Sequence, residues 1–308
     1  MVYNDIVDLT HLSWSLSRNS SGTAGSFLKS YEELDGRKYY YKLSNFDTVR
    51  GIYGHECINE IIAGNLADAI NISHLHYDLL HALVNIDNKT YETWLTKSED
   101  FKAAGEHKLA FETYYEINKR TDETIWDFIL DNHLEQYFYE VFLLDYLICN
   151  RDRHGANIEV LEKNGVYRLA PVFDNGLSLL FSCYSDGMEM EQFNRLKDGP
   201  VNNFVGSMSL IENLRLVPKE MLDFVKTADI DGNVLLGGLQ GLMQSSEKAV
   251  PHQYWDCVVE MIQERRDNNV PSSVNEYAML SYDEEQDVYH VCREEYLNII
   301  GGNIIQFV

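Results

Sequence analysis

Basic residues are scarce in this sequence: 25 Lys and Arg stand against 49 Asp and Glu over 308 residues, a formal net charge of −24. Nucleic-acid binding depends on neutralising phosphates with Lys and Arg, and adsorption to an anionic membrane needs the same side chains. Direct binding to either is therefore disfavoured. No window approaches the roughly 18 uninterrupted apolar residues of a spanning helix, so no membrane span is expected. The first residues, Met-Val-Tyr-Asn-Asp-Ile-Val-Asp, have neither a basic region nor an apolar signal core. The five cysteines (Cys57, Cys149, Cys183, Cys257 and Cys292) are scattered and never form Cys-x-x-Cys, which points to buried free thiols in a reducing compartment. The ten histidines include no His-Glu-x-x-His, so nothing reads as a zinc site. A Walker A loop and a Gly-x-Gly-x-x-Gly are also missing. Hydrophobic residues at 45% and charged residues at 24% are ordinary for a folded protein, and the length suits one large domain or two modest ones.

The chemistry concentrates in residues 143–180. Asp152 and Asn157 form an Asp-x-x-x-x-Asn pair, and Asp174 opens an Asp-x-Gly in Phe173-Asp174-Asn175-Gly176. In phosphoryl-transfer sites one Asp orients the attacking hydroxyl, while an Asn and a second Asp hold magnesium against nucleotide phosphates. The apolar run from Val141 to Ile148 reads as a buried helix ending near Asn150. Ile158–Leu161 and Tyr167–Val172 read as strands joined at Asn164-Gly165, a hairpin signal that would return Asp174 to the side of Asn157. The bland reading is that Asn-Arg-Asp and Asp-Asn-Gly are surface turns.

Upstream residues supply what such a site needs. Ser21-Gly22-Thr23-Ala24-Gly25-Ser26 offers backbone N–H groups and hydroxyls without bulk, as a phosphate-covering loop must, although a Ser/Gly run is also a linker signature. Phe27–Tyr31 and Arg37–Leu43 flank an Asp35-Gly36 turn, and Lys42 on the second strand is placed to reach phosphates. Glu56–Ile70 has the apolar spacing of an amphipathic helix. Glu56 and Glu60 share one face of it; Glu60, nearer the apolar stripe, is the preferred partner of Lys42, with Glu56 left open. Strands are expected over His74–Val84 and Thr90–Lys97. A polar hinge follows over Thr96–Glu106, with adenine placed near Trp94–Ser98. Beyond Thr121 the pattern is mostly helical, with helices near 125–134, 136–149, 218–228, 233–246, 251–267 and 283–299. Residues 179–204 have little periodicity and read as a mobile segment near the substrate.

Taken together, Asn150-Arg151-Asp152-Arg153-His154-Gly155-Ala156-Asn157 and Pro171-Val172-Phe173-Asp174 resemble the catalytic core of HipA-like serine/threonine kinases. Ser21–Ser26 and the strand ending at Lys42 resemble that family's small lobe. The resemblance implies an α+β, two-lobed protein-kinase-like fold: an antiparallel-sheet lobe with one helix over residues 1–98, and a larger, mostly helical lobe over 99–308. It implies ATP and Mg²⁺ as cofactors, and a protein Ser or Thr as phosphoryl acceptor. Position by position, Asp152 becomes the catalytic base, Asn157 and Asp174 the metal ligands, and Lys42 the phosphate contact. Residues 21–26 become the phosphate cover. His154 matches a motif position, and a loop-shaping hydrogen bond is the reading preferred over proton transfer. The chain looks like the family's shorter stand-alone members, which leaves an antitoxin-type partner open. Cytoplasmic residence is expected, with secretion as an effector left open. Asn-x-Asp-Arg with Asp174-Asn175-Gly176-Leu177 also resembles type II phosphatidylinositol 4-kinases, so a lipid or small-molecule acceptor is the alternative. A non-catalytic nucleotide-binding module is the other.

Overall fold

Left-handed residues mark where the hairpins of this chain turn. The computed structural model describes residues 6–16, 27–181, 193–196, 198, 200–244, 250, 252–268, 280–283 and 288–291. Asp35 (φ 52°) and Gly36 (φ 75°) join β3 (Leu28–Leu34) to β4 (Arg37–Lys42). Asp87 (φ 51°) and Asn88 (φ 64°) join β7 (Asp78–Ile86) to β8 (Lys89–Glu99). Asn164 (φ 52°) and Gly165 (φ 78°) join β11 (Glu159–Lys163) to β12 (Val166–Leu169). Two successive positive φ values are what a two-residue hairpin turn requires, and Asn, Asp and Gly tolerate them best.

These hairpins build a six-stranded sheet in the order β1-β7-β8-β4-β3-β2, where β1 is Val7–Leu9 and β2 is Ser15–Leu16. Only the β1–β7 pair in it is parallel. Leu28, Tyr41, Leu43, Leu80, Ala82, Val84 and Leu95 form its buried core. A short hairpin of β5 (Asn45–Asp47) and β6 (Gly51–Tyr53) leads into α1 (Glu56–Ala69). Ile58, Ile61, Ile62 and Leu66 of α1 are buried, the stripe its periodicity predicts.

The strand expected from His74 begins instead at Asp78. Residues 73–75 run beside Val172: Leu75 N–H donates to the Val172 carbonyl at 2.8 Å, and Val172 N–H to the Ser73 carbonyl at 3.0 Å. The strand expected to end at Lys97 runs on to Glu99, so the change of direction comes at residues 100–106. Then β9 (His107–Ala110), not foreseen, pairs with β11 to make a three-stranded sheet in the order β12-β11-β9. α2 (Phe111–Asn118), also not foreseen, follows. Next come α3 (Ile125–Asp131), capped by the Thr124 side chain, and α4 (Glu135–Ile148). Phe111, Phe128, Phe138 and Phe142 pack as an aromatic cluster between these helices, with Phe111 and Phe138 centroids 5.1 Å apart.

Further on lie α5 (Leu210–Leu214), α6 (Lys219–Thr227), α7 (Gly232–Leu235), α8 (Gln240–Met243) and α9 (His252–Asn268). The single helix expected over 233–246 is broken in two at Gly237-Gly238, where Gly238 turns left-handed (φ 77°), as two glycines in a row invite. Internal contacts divide the chain into Met1–Asn269 and Val270–Val308. In the second unit β14 (Leu280–Asp283) pairs antiparallel with β15 (Val288–Val291). That overturns the helix expected to start at 283: Val288-Tyr289-His290-Val291 is β-branched and aromatic, and such residues favour a paired strand. The remainder of that expectation, 284–287 and 292–299, lies outside the described residues, as do 182–192, 197 and 199 of the segment read as mobile.

Candidate active site

The site is assembled from β4, α1, the loop after α4, and the stretch after β12. Lys42 is the last residue of β4 and is buried among them. Its Nζ lies 2.9 Å from Glu60 Oε1 on α1 and also pairs with Asp174 Oδ1. Glu56 points elsewhere, accepting from Asn45 Nδ2 at 2.5 Å. The second Glu60 oxygen accepts from the backbone N–H of Asn175 at 2.8 Å. Glu60 therefore holds both Lys42 and the chain beside Asp174.

Asp174 sits at φ 60°, a left-handed conformation that Asp adopts more readily than bulkier residues. Its N–H donates to the Tyr77 hydroxyl at 3.4 Å, and Lys29 Nζ stands 3.8 Å from Oδ2. Two positions on, a Cβ on Gly176 would stand 3.2 Å from Glu56 Cβ and 3.4 Å from Glu60 Oε1. A larger residue here would press on α1, and glycine lets the segment lie close to it. Asn59, one position before Glu60, donates to the carbonyls of Gly176 and Ser178, each at 2.9 Å.

Burial pushes the Asp174 carboxyl up, but Lys42 and then Lys29 outweigh it and hold the group well below the usual carboxylate range. The reverse holds for Lys42. Burial pushes its ammonium down, while Asp174 and Glu60 keep it well above the ordinary lysine value. Both groups are thus charged across the physiological range.

The left-handed Cys149 (φ 53°) ends α4 and turns the chain into the loop of Asp152 and Asn157. Asn157 Nδ2 donates to the Asp152 carbonyl at 2.8 Å, which commits the NH₂ side of the amide and leaves Oδ1 as its acceptor. Asp152 Oδ1 accepts from Asn202 Nδ2 at 2.9 Å. His154 Nδ1 accepts from the Ala156 N–H at 3.2 Å, capping the single 3₁₀ turn Gly155–Asn157. That assigns the ring proton of neutral His154 to Nε2, which lies 3.8 Å from Asp152 Oδ2.

Asp174 is tied to this loop through Arg153. The guanidinium is bidentate on Asp145 of α4 (Nε to Oδ2 3.0 Å, Nη2 to Oδ1 2.7 Å). It also donates to the Phe173 carbonyl and to Asn175 Oδ1, each at 2.6 Å, and so grips the residues on both sides of Asp174. The pair is almost wholly buried, at 2% and 1% exposed. Burial works against the charge of Arg153 and Asp145 outweighs it, raising the guanidinium pKa.

Neither a family model nor a curated sequence matches the chain. Solved structures do, two of them over more than four fifths of the chain. One is a Helicobacter pylori proinflammatory kinase, CtkA, with a TM-score of 0.55 and 17% identity over 85% of this chain and 94% of that one. The other is HipA, from the Shewanella oneidensis MR-1 complex of HipA, HipB and operator DNA. It has a TM-score of 0.50 and 12% identity, over 81% of this chain and 65% of that one. The fold is kinase-like.

Within this kinase-like fold, Lys42, Glu60 and Asp174 meet directly, and Asp152, His154 and Asn157 share one loop. Ser21, Gly22, Thr23, Ala24, Gly25 and Ser26 lie outside the described residues. Sequence reasoning passed over Asp145, Tyr77 and Asn202, and gave Arg153 and Asn175 no role beyond their place in the motifs. Asp145 did carry a signal: it is an acid inside the apolar run Val141–Ile148, and a buried carboxylate demands a cation. No helix among the described residues is long and apolar enough to cross a membrane.

Proposed function

We propose that this chain is an ATP- and magnesium-dependent kinase that transfers the γ-phosphoryl group to a Ser or Thr hydroxyl of a protein. What carries the reading is the buried Lys42–Glu60–Asp174 network, drawn from three separate elements, with Asp152 and Asn157 on the adjoining loop. A lysine held by a helix glutamate beside an acidic metal ligand is the arrangement by which kinases grip nucleotide phosphates. The donor set suits magnesium, which prefers hard oxygen ligands. Asp174 is ionised, and Asn157 offers its amide oxygen. Magnesium bound there would neutralise charge on the phosphates.

In this reading Lys42 binds phosphate oxygens, and Glu60 keeps its ammonium in place. Residues 21–26 take the phosphate-covering role that the sequence resemblance implies. Asp152 accepts a hydrogen bond from the acceptor hydroxyl and aligns it for in-line attack. His154 shapes the loop by capping its 3₁₀ turn. The surplus of acidic residues favours a basic protein acceptor over a lipid at an anionic surface.

The test is transfer from α- and γ-labelled ATP in the presence of Mg²⁺ to a panel of proteins, peptides and phosphoinositide vesicles. The expected result is γ-label on protein, with Asp152→Ala and Asp174→Ala each lowering the rate at least about 100-fold, the scale of general-base and electrostatic contributions. Wild-type transfer by either variant overturns the reading. Label on lipid selects the lipid-kinase alternative, and α-label on protein indicates nucleotide transfer.

A further inference from the structure

Asp152 is held from outside its own loop. β10 (Asp152–Arg153) pairs in parallel with β13 (Asn202–Asn203), placing Asp152 opposite Asn202. The Asn202 N–H donates to the Arg151 carbonyl at 2.9 Å, and the Phe204 N–H to the Arg153 carbonyl at 3.0 Å. Registered partners in a sheet project to the same side, so the two side chains meet: Asn202 Nδ2 donates to Asp152 Oδ1 at 2.9 Å.

The turn that carries Asn202 is braced from below. Val201 N–H donates to the Met208 carbonyl at 2.9 Å, closing a loop over 201–208. Asn213 of α5, 1% exposed, fills that loop. Its Oδ1 accepts from the Ser207 N–H at 2.6 Å, and its Nδ2 donates to the Ser207 carbonyl at 2.9 Å. Asn203 Nδ2 donates to the same carbonyl at 3.3 Å. Gly206 (φ 82°) has no room for a side chain, since a Cβ would run into the Asn213 amide and stand 3.1 Å from the Phe142 ring. Asn202 is thus presented to Asp152 on a preorganised support, whereas its own residue is exposed to solvent.

An exposed asparagine contributes little to folding, and surface substitutions usually change stability by no more than about 0.5 kcal/mol. A hydrogen bond from a braced turn to a carboxylate has a different consequence. It removes the freedom of that carboxylate to rotate, committing Oδ1 to Asn202 and leaving Oδ2, 3.8 Å from His154 Nε2, as the oxygen for an acceptor hydroxyl. We propose that Asn202 is a positioning residue for Asp152, coupling the geometry of the base to the braced turn over residues 201–208. The inference rests on the kinase reading given above. Asn202 touches none of Lys42, Glu60 and Asp174 in the hydrogen bonds described, so its effect falls on the acceptor half of the reaction.

Steady-state kinetics of the full chain with MgATP and a protein acceptor test this, together with a urea melt of each variant. Asn202→Ala is expected to lower kcat by about 10- to 100-fold, the scale on which small misplacements of catalytic groups act. KM for ATP should stay within twofold, and the unfolding midpoint should not move. Asn202→Gln, which keeps the donor on a longer stem, should recover part of the loss. In an Asp152→Ala background Asn202→Ala should cost nothing further, because the group it positions is gone. If wild type transfers phosphate and Asn202→Ala keeps kcat within twofold, this inference fails while the kinase reading stands. An equal loss in the Asp152→Ala background, or a loss seen only in KM for ATP, also overturns it. A wild-type protein without phosphoryl transfer overturns the kinase reading and this inference with it.

Discussion

Removing the Asp145 carboxylate leaves a charged guanidinium in the middle of the protein. Asp145 is 1% exposed and Arg153 2%. In Asp145→Ala, Arg153 loses both bonds to the acid, at 3.0 and 2.7 Å. It keeps only the Phe173 carbonyl and Asn175 Oδ1, and Asn150 Nδ2 loses its acceptor at 2.9 Å. Breaking a buried ion pair by deleting one partner costs about 3–5 kcal/mol, because the remaining charge has been desolvated without compensation. Against a total stability on the order of 5–15 kcal/mol, that is a large fraction. With a urea m-value of about 3 kcal/mol/M, the midpoint should fall by roughly 1–1.7 M in a chemical melt followed by circular dichroism. The double variant Asp145→Leu/Arg153→Met, which removes both charges and keeps volume, should recover most of the loss, since well-packed apolar replacements of buried pairs are often neutral. A loss below about 1 kcal/mol in Asp145→Ala would refute the reasoning, showing that water reaches the guanidinium and that this pair is not what grips Phe173 and Asn175.

Two further predictions concern residues that support the site. Burial holds the His74 ring below the ordinary histidine pKa, opposed by the Ile72 carbonyl and Asp68 and reinforced by His76. A depressed folded-state value means the folded chain binds fewer protons than the unfolded chain, so the contribution is full above about pH 6.5 and lost as pH falls through the folded value. Urea melts at pH 7.5, 6.5 and 5.5 should show falling midpoints for wild type and a flatter profile for His74→Gln; equal slopes would count against it. Gly206→Ala forces a side chain onto a left-handed residue, where its Cβ would run into the Asn213 amide and the Phe142 ring. It should cost about 1–3 kcal/mol in the same melt, and by loosening the Asn202 turn it should lower kcat as well. A variant with wild-type stability would mean the turn is not braced as described.

Much of this site was legible because its signals are local. The turns at Asp35-Gly36 and Asn164-Gly165, the stripe of α1 and the Asp152–Asn157 spacing each depend on a few neighbouring residues, whose φ preferences and periodicity act before any tertiary contact forms. The fold class came from the family resemblance that these motifs carry. Elements without a period of their own were not legible. β10 and β13 are two residues each, too short for alternation to show, and β9 is a strand only because β11 lies beside it. The hairpin of β14 and β15 was mistaken for a helix because its acidic flanks resemble helix surface, and only the pairing decides between the two.

Partner choice among charges is the other thing that only tertiary structure decided. Lys42 and Asp174 are 132 positions apart, and Asn202 reaches Asp152 across 50. Sequence alone could propose that Lys42 needs a glutamate, but Glu56 and Glu60 share one helical face. Packing of α1 against the sheet turned Glu60 to Lys42 and Glu56 to Asn45. The same holds for Arg153, whose position next to Asp152 suggests a surface turn until the body of the protein closes over it and Asp145. Residue types and spacings determined which chemistry was available to this chain. Burial, by removing the water that would otherwise satisfy every charge, decided which groups must meet.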